Sequence, residues 1–247
     1  MGTRETIRRM YDLLEAAFGP QHWWPASNPT AFGRSRRQNA PPCRVQSGAC
    51  DPFEVMVGAV LTQNTNWTNV EKAIANLKTH GLLSPRKIHE LPHDELAQLI
   101  RPAGYYNVKT KRLRNLLEFL FDDFDGDLDA LFALPLYDLR EALLGVSGIG
   151  RETCDSIVLY AAEKPTFVVD AYTHRVMLRH DLIDTEADYD EIKELFESNL
   201  PAEAPLFNEF HALLVRVGKV YCRKRPGCAD CPLDVLFEDK SGRPGDI

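Results

Sequence analysis

The stretch from Leu144 to Val176 constrains the fold of this chain more than any other. It reads Leu-Gly-Val-Ser-Gly-Ile-Gly-Arg-Glu-Thr-Cys-Asp, continues through the apolar run from Ser156 to Ala162, and closes on Phe-Val-Val-Asp-Ala-Tyr-Thr-His-Arg-Val. Gly145, Gly148 and Gly150 crowd a short turn that follows one helix-periodic segment (Leu136, Leu139, Leu143, Leu144) and opens another (Ile157, Val158, Ala161). Glycines at this density let a backbone take φ > 0 and approach something outside the protein. The unpaired N–H groups at the mouth of the next helix, where the helix dipole is positive, make an anion site suited to phosphate. Asp170 follows three apolar residues, so it should emerge at the edge of a packed core, where a carboxylate can act on a ligand. Taken singly, a glycine turn is also a plain connector, and Asp170 is also a good N-cap for a helix beginning Ala-Tyr-Thr.

The rest of the chain reads as helix. Ile7, Met10, Tyr11, Leu14 and Phe18 lie at helical spacing, which predicts an amphipathic first helix. Then comes Trp23-Trp24-Pro25. Adjacent tryptophans cannot share a helical core stripe, because neighbours point about 100° apart; they form either a stiff aromatic wall or a loop capping the core. Residues 26–51 carry Ser, Asn, Pro, Gly and Arg with almost no aliphatics, and predict a long surface loop or partly disordered insertion that includes Cys43 and Cys50. From Pro52 a nearly all-apolar helix containing Phe53 runs into the polar turn Thr62 to Asn66, and an amphipathic helix follows. Gln63 and Asn64, at the end of a buried helix, are costly unless they serve each other, cap the next helix or meet a ligand. Further helices are expected over 88–100, 108–121, 128–144, 172–182, 190–199 and 206–221. The only strand-like run is Thr166 to Val169, so the fold class is all-α.

With 247 residues the chain has room for one large domain or two small helical ones. No segment approaches the roughly 20 apolar residues of a membrane span, and the start lacks the apolar core of a secretion signal, which leads to an expected intracellular location with no membrane partner. The net charge of −7 counts against a uniformly basic nucleic-acid binder. The charges are segregated, however. Basic residues cluster at Arg34 to Arg37, at Lys109, Lys111, Arg112 and Arg114, and at Arg216 to Arg225; acidic ones fill Asp122 to Asp129 and Asp184 to Glu197. A molecule with one DNA-facing side fits this pattern, and ordinary solvated helix faces fit each patch alone.

The Gly-Ile-Gly turn between helices, followed by Val-Val-Asp, resembles the helix-hairpin-helix motif and catalytic aspartate of the endonuclease III (HhH-GPD) superfamily of DNA glycosylases. The Leu-Thr-Gln-Asn-Thr segment and the Gly104-Tyr-Tyr-Asn turn are similar to segments of the same superfamily. The resemblance implies two helical subdomains with a DNA-binding cleft between them. Residues 30–135 and 136–180 would supply the bundle and hairpin parts, and 1–25 with 181–221 the second subdomain. It implies that Asp170 is catalytic, that Gln63 enters the DNA stack where a base has been extruded, and that Asn64 beside it binds DNA. Gly148, Ile149, Gly150 and Arg151 would grip the phosphate backbone, with a monovalent cation held by hairpin carbonyls. The implied partner is double-stranded DNA, met by a monomeric, nucleoid-associated cytoplasmic enzyme.

One departure is informative. Members that also cut the strand carry a lysine where this chain has Glu152, and a carboxylate cannot form the imine on which that reaction depends. The expected enzyme is therefore monofunctional. The motif set most resembles the endonuclease III-like 3-methyladenine DNA glycosylases, with Trp23, Trp24, Pro25 and Phe53 as pocket walls and Glu152 as a polar contact. Alkylated purines are cationic, and aromatic faces with a carboxylate nearby favour a cation. A glycosylase for thymine or uracil opposite guanine, and a non-catalytic DNA binder, are the alternative readings.

Of the six cysteines, Cys222, Cys228 and Cys231 form a C-terminal group within 222–237. In an intracellular protein such spacing argues for metal over disulfides. It resembles the start of the [4Fe-4S] loop of endonuclease III relatives, but Phe237 stands where their fourth cysteine would be. An incomplete cluster completed by Asp234, Cys154, Cys43, Cys50 or water, a zinc site, or a degenerate loop are the readings left open.

Overall fold

The computed structural model describes residues 2–21, 23–24 and 51–237. Pro25, Cys43, Cys50 and the expected insertion loop lie outside the described residues, apart from Asp51. The described chain is helical throughout, with no strand; even Thr166 to Val169 is extended but unpaired in a sheet. It divides into two compact units, one built from residues 24–164 and the other from the two ends, 1–23 and 165–247.

The first unit holds α2 (Pro52–Thr62), α3 (Trp67–Thr79), α4 (Pro85–Glu90), α5 (His93–Leu99), α6 (Tyr106–Phe124), α7 (Leu128–Phe132), α8 (Leu136–Gly145) and α9 (Arg151–Ser156), the last running into a π-helical turn, Ile157–Ala161. α2 is its axis. Every residue from Phe53 to Leu61 is buried, as the near-absence of polar residues there requires, and α3, α6, α9 and the π-helical turn pack around it. The one carboxylate on this helix, Glu54, is neutralised by Lys78 at 2.6 Å. Trp24 belongs to this core: 6% exposed, it meets Trp67 edge-on at 5.2 Å and Tyr160 at 5.1 Å. Gly58 makes room for it, since a Cβ there would lie 3.1 Å from the indole. The expected helix over 88–100 is two helices, because Leu91-Pro92 takes extended backbone between α4 and α5 and proline bars continuation.

The second unit holds α1 (Thr3–Phe18), α10 (Ala171–Arg179), α11 (Tyr189–Glu197) and α12 (Ala204–Val220). The stripe Ile7, Met10 and Leu14 is fully buried, and α1 and α10 both pack on α12. A phenylalanine cluster forms the centre: Phe167 stacks on Phe196 at 3.8 Å and meets Phe207 and Phe210 edge-on, geometries favoured by the ring quadrupoles. The Phe167 N–H and the Thr166 hydroxyl both bond Glu197 at the end of α11. This docking draws the extended run before Asp170, and with it α10, into the unit of the chain ends.

Candidate active site and nucleic-acid interface

In the first unit the glycine turn is a hairpin between α8 and α9. The Val146 N–H bonds Leu143 O, the Ile149 N–H bonds Val146 O, and the Cys154 N–H bonds Gly150 O. Ile149 is buried and anchors the turn, whereas Gly148 and Gly150 are exposed on either side of it. Only Gly148 needs to be glycine for conformational reasons: its φ is +96°, and a Cβ there would overlap the Arg112 side chain. Gly145 closes α8, and Gly150 has φ −90°. Arg151 and Glu152 are exposed on the first turn of α9, where the N-terminal dipole favours the Glu152 carboxylate.

Gln63 reaches this hairpin. Its amide nitrogen donates to Gly148 O at 3.1 Å and to Thr153 Oγ1 at 2.9 Å, and Arg112 donates to its Oε1. Asn64, exposed beside it, holds φ +53°, a conformation asparagine tolerates better than most residues. The capping role open to this turn goes to Asn66, whose side chain accepts the Asn69 N–H. Phe53, 3% exposed, sits at the start of α2 with its N–H on Asp51.

The sequence missed one contributor here and misread another. Lys109, expected on a DNA-facing basic patch, is 1% exposed; its ammonium bonds Leu61 O, Thr65 Oγ1 and Ala103 O. The signal was available, since Lys109 continues the stripe of Leu113, Leu116, Leu117 and Leu120 by one helical turn. Arg112 links hairpin and glutamine, which spacing could not disclose.

In the second unit Asp170 caps α10, accepting the Thr173 N–H on Oδ1 at 2.7 Å. Its other oxygen stands 3.7 Å from Nε2 of His211, a buried residue of α12. Burial pushes the His211 imidazole below the ordinary histidine range, against the pull of Asp170, so it is neutral near pH 7. Trp23 lies edge-on to His211 at 6.3 Å, and the Lys219 ammonium lies over the rings of Trp23 and Tyr172. The two tryptophans, adjacent in sequence, therefore serve different units.

Cys222, Cys228 and Cys231 line one hollow in this unit together with Arg179 and His180. Among the described residues they offer three thiols to a cluster that needs four, with Phe237 at the place of the fourth, and no grouping of three or more metal-donor side chains occurs there. Arg179 donates to Cys222 Sγ at 3.2 Å, and burial pushes the Cys231 thiol up to about 11. Cys154 belongs to the other unit, where its thiol donates to Arg140 O. The loop is held instead by arginines: Arg175 bonds Cys222 O and Gly218 O, and Arg179 bonds Arg223 O and Lys224 O.

The comparisons with known proteins bear on this arrangement. Residues 57–202 match the family model of the HhH-GPD superfamily base excision DNA repair proteins. A Methanocaldococcus jannaschii protein named "Putative DNA repair glycosylase" is 42% identical over 236 residues, covering 93% of this chain and 94% of its own. This chain belongs to the HhH-GPD superfamily of DNA glycosylases. Among solved structures, the H. pylori 3-methyladenine DNA glycosylase MagIII bound to 1,N6-ethenoadenine is 29% identical with a TM-score of 0.65, covering 89% of this chain and 98% of its own. A trapped endonuclease III–DNA covalent intermediate, 24% identical with a TM-score of 0.71 over 96% of both chains, shares the fold. The HhH-GPD chain described here is thus an all-α base excision repair enzyme that acts on DNA, and none of its described helices is long and apolar enough to cross a membrane.

Proposed function

We propose that this glycosylase is monofunctional: it hydrolyses the N-glycosidic bond of an extruded alkylated purine, 3-methyladenine being the type substrate, and leaves the strand intact. The observation that carries the reading is Glu152, an exposed carboxylate in the first turn of α9 directly after the hairpin. A carboxylate there cannot open the imine route to strand cleavage. Likeness to a 3-methyladenine glycosylase along nearly all of that protein's length supports the choice of base.

In this mechanism Gly148, Gly150 and Arg151 hold the backbone phosphate through hairpin N–H groups and the arginine cation, on the turn that Ile149 anchors. Gly148 O accepts Gln63, yet a carbonyl keeps a second lone pair, so the hairpin carbonyls would hold a monovalent cation, which would supply positive charge for a DNA phosphate. Gln63 exchanges its bonds to Gly148 and Thr153 for the gap left by the extruded nucleotide, with Asn64 beside it. Trp23, Trp24, Pro25, Phe53 and Glu152 receive the cationic base, and Asp170 stabilises the positive charge that develops on the deoxyribose. Alkylation has already weakened the glycosidic bond, so a single well-placed carboxylate accounts for the chemistry.

The test is incubation with duplexes that each carry one lesion, 3-methyladenine, 7-methylguanine, uracil or a G·T pair, and comparison of products before and after alkali. Release of methylated purine with strand breaks only after alkali is the expected result. Breaks without alkali, or trapping of the protein on DNA by borohydride, overturn the monofunctional reading. Preference for the G·T pair or uracil overturns the choice of base.

A further inference from the structure

We infer that Lys109 is a positioning residue for the stack-entering turn: its buried ammonium clamps the backbone of residues 62–66 so that the turn carries Gln63 and Asn64 toward DNA from one fixed main-chain conformation. The inference rests on the reading of Gln63 given above and adds to it the group that holds the turn. Lys109 lies in the first turn of α6 and is buried. Its Nζ donates to Leu61 O in the last turn of α2 at 2.7 Å, to Thr65 Oγ1 at 2.7 Å, and to Ala103 O in the 3-10 helix Arg101–Ala103 at 2.8 Å. The Thr65 hydroxyl donates in turn to Ala103 O at 2.6 Å. The end of α2, the turn itself through Thr65, and the 3-10 helix are thus tied to one atom.

A lysine is an expensive way to fill a core position, because its charge must be stripped of water. An apolar residue would complete the α6 stripe more cheaply, but would leave Leu61 O and the Thr65 hydroxyl without this shared donor. The turn has reason to need it. Asn64 sits at φ +53° and Tyr105, which opens α6, at φ +45°, conformations that persist only where the surroundings over-determine them. An ammonium supplies three donors to three acceptors, and a neutral amine has only two N–H groups. The clamp therefore depends on protonation. Burial and the nearby Arg112 bring the Lys109 ammonium down to about 8. Of the other charged groups, Glu54 of α2 pairs with Lys78 and Arg101 of the 3-10 helix lies over the Tyr106 ring; on α6 itself Arg112 donates to Gln63, Arg114 donates to Leu91 O and Lys111 is exposed.

The sign of the pH effect separates positioning from mere support. An unfolded chain keeps the Lys109 proton to its ordinary value of 10.5, whereas the folded chain gives it up near 8. Across that window the unfolded state binds more protons, so this residue makes global stability rise with pH. The clamp, in contrast, loosens as pH rises through 8.

The experiment uses the full chain and a duplex with 2-aminopurine beside an abasic-site analogue, so that no base is released and substrate choice does not enter. In wild type, the fluorescence rise on binding falls as pH goes from 7 to 9 while the melting temperature does not. Lys109→Met and Thr65→Val lose most of the rise and bind the abasic-analogue duplex about tenfold more weakly, the scale of one lost charge-assisted hydrogen bond. Both keep their affinity for undamaged duplex, and Thr65→Ser behaves as wild type. In Lys109→Met the remaining signal is flat with pH. If Lys109→Met does not fold, Thr65→Val decides alone. Folded variants with the wild-type fluorescence rise, or a wild-type signal that does not change with pH, overturn the inference. A Gln63→Ala variant that keeps the full rise overturns instead the stack-entry reading on which it rests.

Discussion

Asp170 carries two duties on two oxygens, and they can be separated. Oδ1 caps α10 through the Thr173 N–H, while Oδ2 faces His211. Asparagine caps a helix as well as aspartate does, so Asp170→Asn keeps the cap and removes the charge. Its melting temperature should stay within a degree or two of wild type, its DNA affinity should be retained, and its single-turnover base release should fall by about 10²-fold or more, the scale of losing one electrostatic stabiliser of the transition state. Retained release removes Asp170 from the chemistry. The neighbouring imidazole adds a pH effect on stability. His211 is held neutral in the fold but takes a proton when unfolded, so its contribution is present above the ordinary histidine range and is lost as pH falls below it. Asp155 shows the opposite kind of buried charge. It is fully buried and paired with Arg140 at 2.8 Å, and Asp155→Ala should cost about 3–5 kcal/mol in denaturant unfolding by stranding the guanidinium.

The hairpin is the element on which the DNA reading turns, and its two exposed glycines should behave differently. Gly148→Ala forces a side chain into φ +96° and against Arg112, the residue that also holds Gln63. It should lower stability by about 1–3 kcal/mol and weaken binding to every duplex. Gly150 has an ordinary φ and open space where a Cβ would go. Gly150→Ala should leave the melting temperature unchanged, so a loss of DNA affinity in that variant would report close approach of the phosphate itself. Equal thermal effects of the two substitutions would contradict this account. At the other end of the chain, the cysteine loop is fastened by Arg175 and Arg179 through backbone carbonyls. The purified protein should accordingly be colourless and iron-free by metal analysis; a stoichiometric iron content with an iron–sulfur absorption band would show that the loop rearranges to complete a donor set.

For the whole molecule, a net charge of −7 and binding to a polyanion are compatible because the charge is local. The affinity for duplex should fall with salt, and Arg151→Ala should reduce the slope of log affinity against log salt by about 0.9, one phosphate contact; an unchanged slope takes Arg151 off the interface. Local chemistry in the sequence carried far: helix class, the hairpin position, the cap at Asp170 and the burial of α2 all follow from periodicity, glycine content and side-chain type, which act over a few residues. What needed the tertiary structure is what joins distant residues. Lys109 turns inward to meet Leu61 and Ala103, Arg112 bridges Gln63 and the hairpin, and Trp23 and Trp24 part into different units. Such pairings depend on how helices pack, and packing is decided by shape and desolvation across the whole core. A lysine in the sequence is equally a surface cation or a buried clamp until the carbonyls that would receive it are in place.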